Sequence, residues 1–216
     1  DSVLTSKYNP FYFNNSRHTQ LFPEISFGVG YSRTDNINYP LKGMAYAYGI
    51  SKRGIGFSGG INSTTFSGGI VKYITHKNSF YSTLQSSALI KLPFNQAFIN
   101  LAGIGLRGTE YYVINGVANA VVKYTLSKKV TEFRIPIPFK IKTVPYIPMK
   151  IFAKTYADAG YSYTPSQFIS RFNNKLLYTG GFGLDILTLY DVVIKLEFSF
   201  NQLGEKGLFL HGKSGF

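Results

Sequence analysis

Few residues of this chain have the types and spacing that chemistry requires. The three histidines, His18, His76 and His211, are far apart and lack flanking carboxylates or cysteines, so scattered surface positions are favoured over metal ligation. Cysteine is absent, and neither paired carboxylates nor a Gly-x-Ser-x-Gly elbow is present. Residues 103–108 match the dinucleotide fingerprint Gly-x-Gly-x-x-Gly, but aromatic and β-branched residues follow where a helix is needed. The sequence therefore predicts no enzyme activity, no cofactor and no metal.

The composition indicates more apolar surface than a soluble domain of this size usually carries. The 216 residues include 22 Gly, 17 Tyr and 19 Phe, but only 15% are charged, against roughly 25% in soluble domains. Either a larger core or a lipid phase could take up this surplus. No segment approaches the ~18 consecutive apolar residues of a membrane-spanning helix. Because only helices and closed barrels satisfy their backbone in lipid, a membrane protein with this sequence would be a β-barrel.

The chain is strongly basic, with a formal net charge of +13 at pH 7. Its Lys and Arg residues are spread along the sequence and form no long run. Two interpretations remain open: solvated loops and a wet barrel interior, or a rim that faces phosphate or lipopolysaccharide. Binding of nucleic acid is not predicted, because no recognition helix or aromatic-basic motif is present.

An alternation of apolar and polar residues predicts strands along most of the chain. It is clearest in residues 192–201, where apolar side chains from Val192 to Phe200 alternate with a mostly polar set that includes Lys195 and Glu197. Similar alternation occurs in residues 80–92, 118–127, 150–160 and 178–189, and glycine-rich strand-like segments cover residues 25–32, 41–50, 55–61, 66–75 and 98–106. Many polar-side positions are Ser, Thr, Asn or Gly, which suit a narrow wet lumen better than the charged outer face of a soluble sandwich.

These segments predict an all-β fold, a transmembrane antiparallel β-barrel with about ten to twelve strands in this chain. Residues 1–20 are polar and irregular, and residues 21–216 are expected to form the barrel, partial or reduced. Connectors are predicted at residues 34–40, 51–54, 77–79, 93–96, 162–175 and 204–206. The proline-rich stretch 136–148 is expected to interrupt pairing, because proline lacks the ladder donor. No signal peptide is visible at Asp1, as expected of a processed or truncated exported chain.

Two motifs resemble those of a known family. Leu106, Arg107 and Gly108, with the residues that follow to 116, resemble the sixth extracellular loop of the barrel-assembly insertase superfamily (BamA/TamA, surface-antigen type). Residues 157–161, which include Asp158 and Gly160, resemble the partner motif on a later strand. The resemblance extends over residues 104–216, and the short piece 38–43 is similar to an early-barrel turn of the family.

The resemblance implies that this loop folds into the barrel interior, where Arg107 pairs with Asp158. The alternation places Asp158 on the same strand face as Lys150 and Lys154, which is the face assigned to the lumen. A bidentate pair in that shielded place would fix the position of the loop. The alternative is that Arg107 is an ordinary exposed loop cation with no measurable effect.

The end of the chain is similar to the last strand of an outer-membrane barrel. Leu208, Leu210, Gly212 and Phe216 share one parity, which puts the terminal aromatic on the lipid side. Such an aromatic is what outer-membrane assembly machinery recognises in its substrates. The resemblance implies a weak seam between the first and last strands, and the glycines of the predicted last strand, residues 207–216, are expected to limit its pairing.

The chain departs from the family pattern in three ways. Thr109 replaces the usual aromatic, which weakens the packing of the loop. Thr125 stands where some members have a carboxylate, which leaves a second acceptor for Arg107 in question. The family's barrels have about sixteen strands and usually carry periplasmic POTRA domains, whereas this chain is too short for that many strands and has no POTRA-like pattern. A fragment, a barrel completed by another chain and a reduced member all remain open.

The resemblance implies an insertase or translocase of the bacterial outer membrane, which inserts barrels or moves polypeptides and catalyses no reaction. The expected partners are outer-membrane lipids including lipopolysaccharide, client barrel proteins, and lipoproteins or other outer-membrane subunits. Two alternatives stay open. One is a non-catalytic structural or pore-forming subunit of a larger complex, and the other is a soluble β-sandwich, which would fractionate without detergent.

Overall fold

The computed structural model describes residues 22–54, 62–92, 102–112, 114–136, 146–165, 171–188 and 192–213. These ranges contain eleven strands and one turn of 3₁₀ helix at Lys77–Ser79. The strands are β1 Glu24–Thr34, β2 Gly43–Arg53, β3 Ser63–Thr75, β4 Phe80–Leu92, β5 Ala102–Gly103, β6 Asn115–Gly116, β7 Ala118–Pro136, β8 Tyr146–Tyr163, β9 Leu176–Leu187, β10 Val193–Asn201 and β11 Lys206–Lys213. Among the residues described, no helix has the length and apolar character to cross a membrane.

Nine of the strands form one antiparallel sheet in the order β1-β2-β3-β4-β7-β8-β9-β10-β11, and β5 and β6 form a separate short pair. The all-β, antiparallel prediction is confirmed. The predicted closure is not seen, because β1 and β11 are the two edges of an open sheet in the described part of the chain. Since nine antiparallel strands alternate in direction, the two edge strands run the same way.

The prediction that the proline-rich stretch interrupts pairing was wrong for its described residues. The β7–β8 ladder continues to Pro136 opposite Tyr146 and includes Pro148 opposite Arg134. The physical reason is that these residues extend past the neighbouring strands, so the outward side of each strand is an edge. A proline on an edge removes no ladder hydrogen bond.

Two other boundaries differ from the sequence prediction. The connector expected at residues 51–54 is mostly strand, because β2 pairs with β1 as far as Arg53 opposite Glu24. Of the strand expected at residues 98–106, the described part is strand only at Ala102–Gly103, and Ile104 to Leu106 leave the ladder for a loop. The predicted strand at residues 55–61 and the segment 1–20 lie outside the described residues.

The two faces of the sheet differ in chemistry. Register places Tyr48, Gly68, Ala88, Ala120 and Tyr161 in one row on one face, which we call the outer face. Many large exposed apolar residues of the strands lie on it, and they include Phe27, Phe66, Phe182, Leu208 and Leu210. The opposite side, the inner face, carries the buried charges Lys154, Asp158, Asp185 and Glu197. The period of two along each strand produces this division.

The sheet curls so that its inner face is concave. The hydroxyl of Tyr39, in the loop between β1 and β2, lies 2.9 Å from a carboxylate oxygen of Asp185 in β9. In a flat sheet β2 and β9 would be about 24 Å apart, because neighbouring strands are spaced by ~4.8 Å. The ring of Tyr39 also packs against Phe152 of β8, with 5.0 Å between centroids.

The apolar core lies on this concave side, at the end where β7 begins. Its members come from the loop that joins β5 to β6, from β7 and β9, and from the β8–β9 connection, and they are Ile104, Leu106, Ile114, Val121, Phe172 and Leu177. Tyr112 packs against them. The loop at residues 104–114 therefore acts as a partial second layer for the strands beneath it.

Candidate functional site

The loop at residues 104–114 brings Arg107 to Asp158 on the inner face of β8. The backbone N–H of Arg107 donates to Asp158 Oδ2 at 3.2 Å, and its Nε donates to the same oxygen at 2.9 Å. Its Nη2 donates to Asp158 Oδ1. The Asp158 side chain is fully buried, with 0% exposure. The structure thus joins the two residues that the resemblance paired, in the bidentate geometry that fixes position as well as charge.

Two further groups hold the Arg107 guanidinium in place. Its Nη1 donates to Thr125 Oγ1 on β7 at 2.9 Å, so a neutral hydroxyl serves as the second acceptor. Its Cζ lies 3.9 Å from the centroid of the Tyr156 ring, which is within the range of a cation–π contact. The guanidinium therefore has a carboxylate, a hydroxyl and an aromatic ring around it.

Gly160 makes room for the apolar part of this loop. A Cβ at position 160 would lie 3.3 Å from the terminal carbons of both Ile104 and Leu106. Leu106 is only 2% exposed and fills the space above the glycine. The two residues that the resemblance singled out beside the ion pair, Leu106 and Gly160, are thus in direct packing contact.

Gly108 and Thr109 shape the turn that follows the arginine. Gly108 has φ +81°, and a Cβ there would lie 2.8 Å from the Cβ of Ser199, so the position favours glycine for conformation and for space. Its carbonyl accepts a hydrogen bond from Asn201 Nδ2 at 3.1 Å. Thr109 is buried, and its hydroxyl donates to the carbonyl of Leu106 at 2.8 Å. Thr109 thus closes the turn by a hydrogen bond instead of the aromatic packing of the family pattern.

A second ionic group lies on the same inner face, four residues before Asp158 on β8, and the sequence pattern did not predict it. Lys154 Nζ is 2.5 Å from Asp185 Oδ1 on β9 and 2.5 Å from Glu197 Oε1 on β10. All three side chains are at most 5% exposed. The signal was present, since each residue has the polar parity of its strand and the three strands are neighbours. A buried triad of this kind is stable only when every charge is paired.

Tyr39 connects the triad to the opposite end of the chain. Its hydroxyl donates to Asp185 Oδ2, and the side chain of Asn36 accepts the backbone N–H of Tyr39 at 2.8 Å, which holds the loop in shape. Burial, and next the charge of Asp185, raise the pKa of Tyr39 well above its ordinary value. The phenol therefore stays a neutral donor across the physiological range.

The histidines are less isolated than the sequence indicated. His211 on β11 lies 3.4 Å from Glu197 Oε2 and 3.7 Å from Glu110 Oε1, although no carboxylate flanks it in the sequence. Strand pairing and the loop bring these groups together from distant positions. His76 instead contacts the Ser82 hydroxyl at 2.7 Å, and His18 lies outside the described residues. Among the residues described, no group of His, Asp and Glu could hold a metal ion.

Two cavities lie on the inner face. One of about 260 Å³ is lined by Tyr39 and by Arg107, Lys123, Lys154 and Asp185, among others. The second, of about 600 Å³, lies beside Gly105 and is lined by small and apolar residues together with polar ones such as Ser67, Ser87 and Gln85. Both are suited to water and small solutes.

The last described strand pairs fully with its neighbour. β11 is in register with β10 from Lys206 opposite Phe200 to Lys213 opposite Val193. Gly212 lies opposite Ile194 within this ladder, and the expected weak seam with a first strand stays a prediction. Leu208 and Leu210 point to the outer face with 72% and 70% exposure. Phe216 lies outside the described residues.

The glycine motif at residues 103–108 leads from a two-residue strand into a loop, and no helix follows. The motif therefore lacks the helix N-terminus that would hold a pyrophosphate. No protein-family model and no curated protein matches this chain. Its function has to be inferred from geometry, burial and charge.

Proposed function

We propose that this chain forms part of the wall of a bacterial outer-membrane β-barrel of the insertase or translocase type. The observation that carries the proposal is the reversed polarity of the sheet. Lys154, Asp158 and Glu197 are buried on the concave side, while Phe27 and Leu208 are 68% and 72% exposed on the other. A soluble sheet buries its apolar face, and a contiguous exposed apolar surface of this extent indicates contact with another apolar phase.

Strand length supports a lipid environment. Seven of the nine strands in the sheet have between 8 and 13 residues, for example 8 in β11 and 13 in β3. A tilted strand crosses a bilayer with about 9–11 residues. The outer face of these strands is therefore long enough to match the hydrocarbon thickness.

Closure of such a barrel needs more strands than the nine described. Single-chain bacterial outer-membrane barrels have an even number of antiparallel strands. Because β1 and β11 run in the same direction, at least one further strand running oppositely is required between them. A barrel of the size implied by the resemblance would take several.

Two features support the insertase or translocase type among barrels. The Arg107–Asp158 pair holds a loop on the concave side, as the resemblance implies for that family. The backbone edges of β1 and β11 are unpaired in the described residues. An unpaired edge can template an incoming strand through backbone hydrogen bonds, without any catalysed reaction.

Detergent dependence tests the membrane part of the proposal. The purified chain is expected to require detergent or lipid to stay dispersed, because its outer face is apolar. A monodisperse preparation in plain buffer would contradict it and favour a soluble sandwich.

Cross-linking at the edges tests the insertase part. The chain has no cysteine, so pairs can be introduced cleanly. Val29→Cys with Leu210→Cys places one thiol on each edge strand, and Leu196→Cys with Leu210→Cys places both within the β10–β11 ladder. In proteoliposomes, a bismaleimide with a spacer long enough to reach across the strands that close the barrel between β1 and β11 is expected to stop client-barrel assembly with the first pair and not with the second. Undiminished client assembly with the two edge strands cross-linked would contradict the insertase part of the proposal.

A passive structural or pore subunit is the second candidate, and the cavity of about 600 Å³ on the inner face beside Gly105 favours it. Conductance in planar bilayers separates the two. An open, ion-conducting state of the isolated protein would support the pore, whereas a silent bilayer agrees with an interior filled by the Arg107 loop.

A further inference from the structure

Strands β7 and β8 are much longer than the rest of the sheet, with 19 and 18 residues. Pairing of β4 with β7 ends at Phe80 opposite Lys128, and pairing of β9 with β8 ends at Leu187 opposite Lys150. Residues 129–136 of β7 therefore extend past β4, and residues 146–149 of β8 extend past β9; we call these two segments the β7–β8 arm. With a rise of ~3.3 Å per residue, the arm projects about 25 Å beyond β4 and about 13 Å beyond β9.

One side of the arm is apolar and continues the outer face. Beyond a bulge at Lys129/Thr131, Phe133 pairs with Met149 and Ile135 pairs with Ile147. Met149 and Ile147 have the same parity as Tyr161, which lies on the outer face. Phe133 and Ile135 are 42% and 43% exposed. The arm thus carries the apolar surface past the length that a bilayer core requires.

The other side of the arm is basic. Lys129, Arg134 and, at the base of the arm, Lys150 share this side with a single carboxylate, Glu132. Glu132 is held between Lys129 at 3.0 Å and Lys150 at 3.7 Å. The same end of the sheet also carries Lys42, Lys72 and Lys77. An apolar face backed by a cationic one is the division seen in segments that lie in a membrane interface.

The position of the arm selects which headgroups it would meet. At this end, the β3–β4 connection is the short turn at residues 76–79, whereas the opposite end carries the long connections 93–117 and 164–175. In outer-membrane barrels the short turns face the periplasm. The adjacent leaflet would then present phospholipid and not lipopolysaccharide.

We propose that the β7–β8 arm lies against the bilayer surface and binds anionic phospholipid headgroups. Phe133 and Ile135 would enter the boundary of the acyl chains, while Lys129 and Arg134 would reach the phosphates with their long side chains. This inference rests on the proposed membrane location of the sheet.

The absence of tryptophan from the chain allows a direct test. Phe133→Trp would place the only indole on the arm, and Phe182→Trp, at a position 57% exposed on the outer face of β9, would place it on the main sheet. Each full-length variant is reconstituted into phosphatidylcholine vesicles with and without phosphatidylglycerol, and quenching by brominated acyl chains is measured. Far-ultraviolet circular dichroism checks that both variants fold.

Quenching of the Phe182→Trp indole is expected in both kinds of vesicle, and quenching of the Phe133→Trp indole only with phosphatidylglycerol. Adding Arg134→Gln should lower the surface-binding constant of the arm about fivefold, since one cation near an anionic surface contributes about 1 kcal/mol. Arg53→Gln, at the opposite end of the sheet, is the matched control and should change nothing.

The outcomes separate the two proposals. If the sheet indole is quenched and the arm indole is not, or if the arm indole ignores phosphatidylglycerol, the arm inference is overturned while the barrel stands. A protein partner for the arm would then be favoured over a lipid surface. If neither indole is quenched, the membrane location fails and the arm inference fails with it.

Discussion

The two halves of the sheet have the same alternation but very different interiors. In β1 to β4, the buried side chains of the described residues are Ser63 and Ser82. In β7 to β10, Phe152 and Val193 are at most 1% exposed, and the ionic groups around Lys154 are buried as well. The loop at residues 104–114 packs on β7 and β9, and the rings of Tyr39 and Tyr81 pack on Phe152, so the second half is covered from two sides. A sheet acquires a core only where a second layer covers it.

The comparison shows what stabilises each half. The C-terminal half has its own packing and ion pairs, so its folding depends on interactions within the chain. The N-terminal half has backbone ladders and exposed aromatic residues such as Phe27 and Phe66. It also contacts the other half across the concave side, where the Tyr39 hydroxyl is hydrogen-bonded to Asp185. Its stability therefore depends more on whatever covers its outer face.

The largest expected effect comes from exchanging charges in a buried and an exposed pair. Arg107→Asp or Asp158→Arg alone should cost about 3–5 kcal/mol of unfolding free energy, because each leaves a buried charge unpaired. The double exchange should recover part of that loss. The matched control is the exposed pair Arg53–Glu24, 2.7 Å apart, where single exchanges should cost about 1 kcal/mol or less. The measurement is urea unfolding in micelles followed by circular dichroism.

The buried pair would be refuted as a stabilising contact if the double exchange folded no better than either single one. Equal costs for the two pairs would refute the contrast between the halves.

A smaller effect is expected from adding a methyl group to the ladder in each half. A Cβ at Gly183 would lie 2.1 Å from the backbone oxygen of Leu196, so Gly183→Ala should cost about 1–3 kcal/mol by forcing the strands apart. At Gly30 the nearest atom, the Tyr46 oxygen, is 3.8 Å away. Gly30→Ala should be neutral or stabilise by about 0.5–1 kcal/mol, because glycine weakens a strand. The same unfolding assay measures both, and similar costs would count against different packing in the two halves.

Tyr39→Phe should lower the free energy of unfolding by about 1–2 kcal/mol, since it deletes the side-chain hydrogen bond from Tyr39 to Asp185 and leaves the ring in place. The effect depends on pH in one direction. Because the pKa of Tyr39 is raised above 10.0 in the folded protein, its contribution is complete below pH 10 and is lost as the pH rises further. The variant should therefore show a shallower loss of stability above pH 10 than the parent. Parallel curves would argue that Tyr39 does not reach Asp185.

The smallest effect is expected at the turn between β10 and β11. Hydrogen bonds from Tyr112, and next from Asn201, hold the pKa of Glu205 below its ordinary value. The contact between loop and turn is thus present above about pH 4.5 and is lost as the pH falls through the lowered pKa. Hydrogen-exchange protection factors at residues 204–207, corrected for the intrinsic pH dependence of amide exchange, should fall on acidification, and Glu205→Gln should abolish that change. The turn at residues 76–79, which has no carboxylate, is the control; if it responds equally, the effect is global.

Much of the fold followed from local pattern. The segment predicted at residues 80–92 coincides with β4, and the alternation in residues 192–201 matches β10 within one residue. The inner parity of Lys150, Lys154 and Asp158 also follows from the alternation, because side chains one residue apart must face opposite sides of a strand. Residues 104–106 were wrongly predicted as strand, because a short apolar run has the same sequence pattern in a strand and in a loop that packs on a core.

The candidate site was only partly predictable. Arg107, Asp158 and Gly160 were found through a family resemblance, and alternation alone favoured an ordinary exposed arginine. Lys154, Asp185 and Glu197 were each assigned to a polar face, but nothing in the sequence showed that the three would meet. That depends on strand order and register, which are long-range properties of the sheet.

The sequence by itself determined the period-two division into an apolar and a polar face, since this requires only the geometry of an extended chain. The tertiary structure decided which polar residues became neighbours, which half gained a second layer, and that β7 and β8 outrun the other strands. Those outcomes are set by pairing between residues distant in sequence, where the free energy of contact depends on partners that no local window contains.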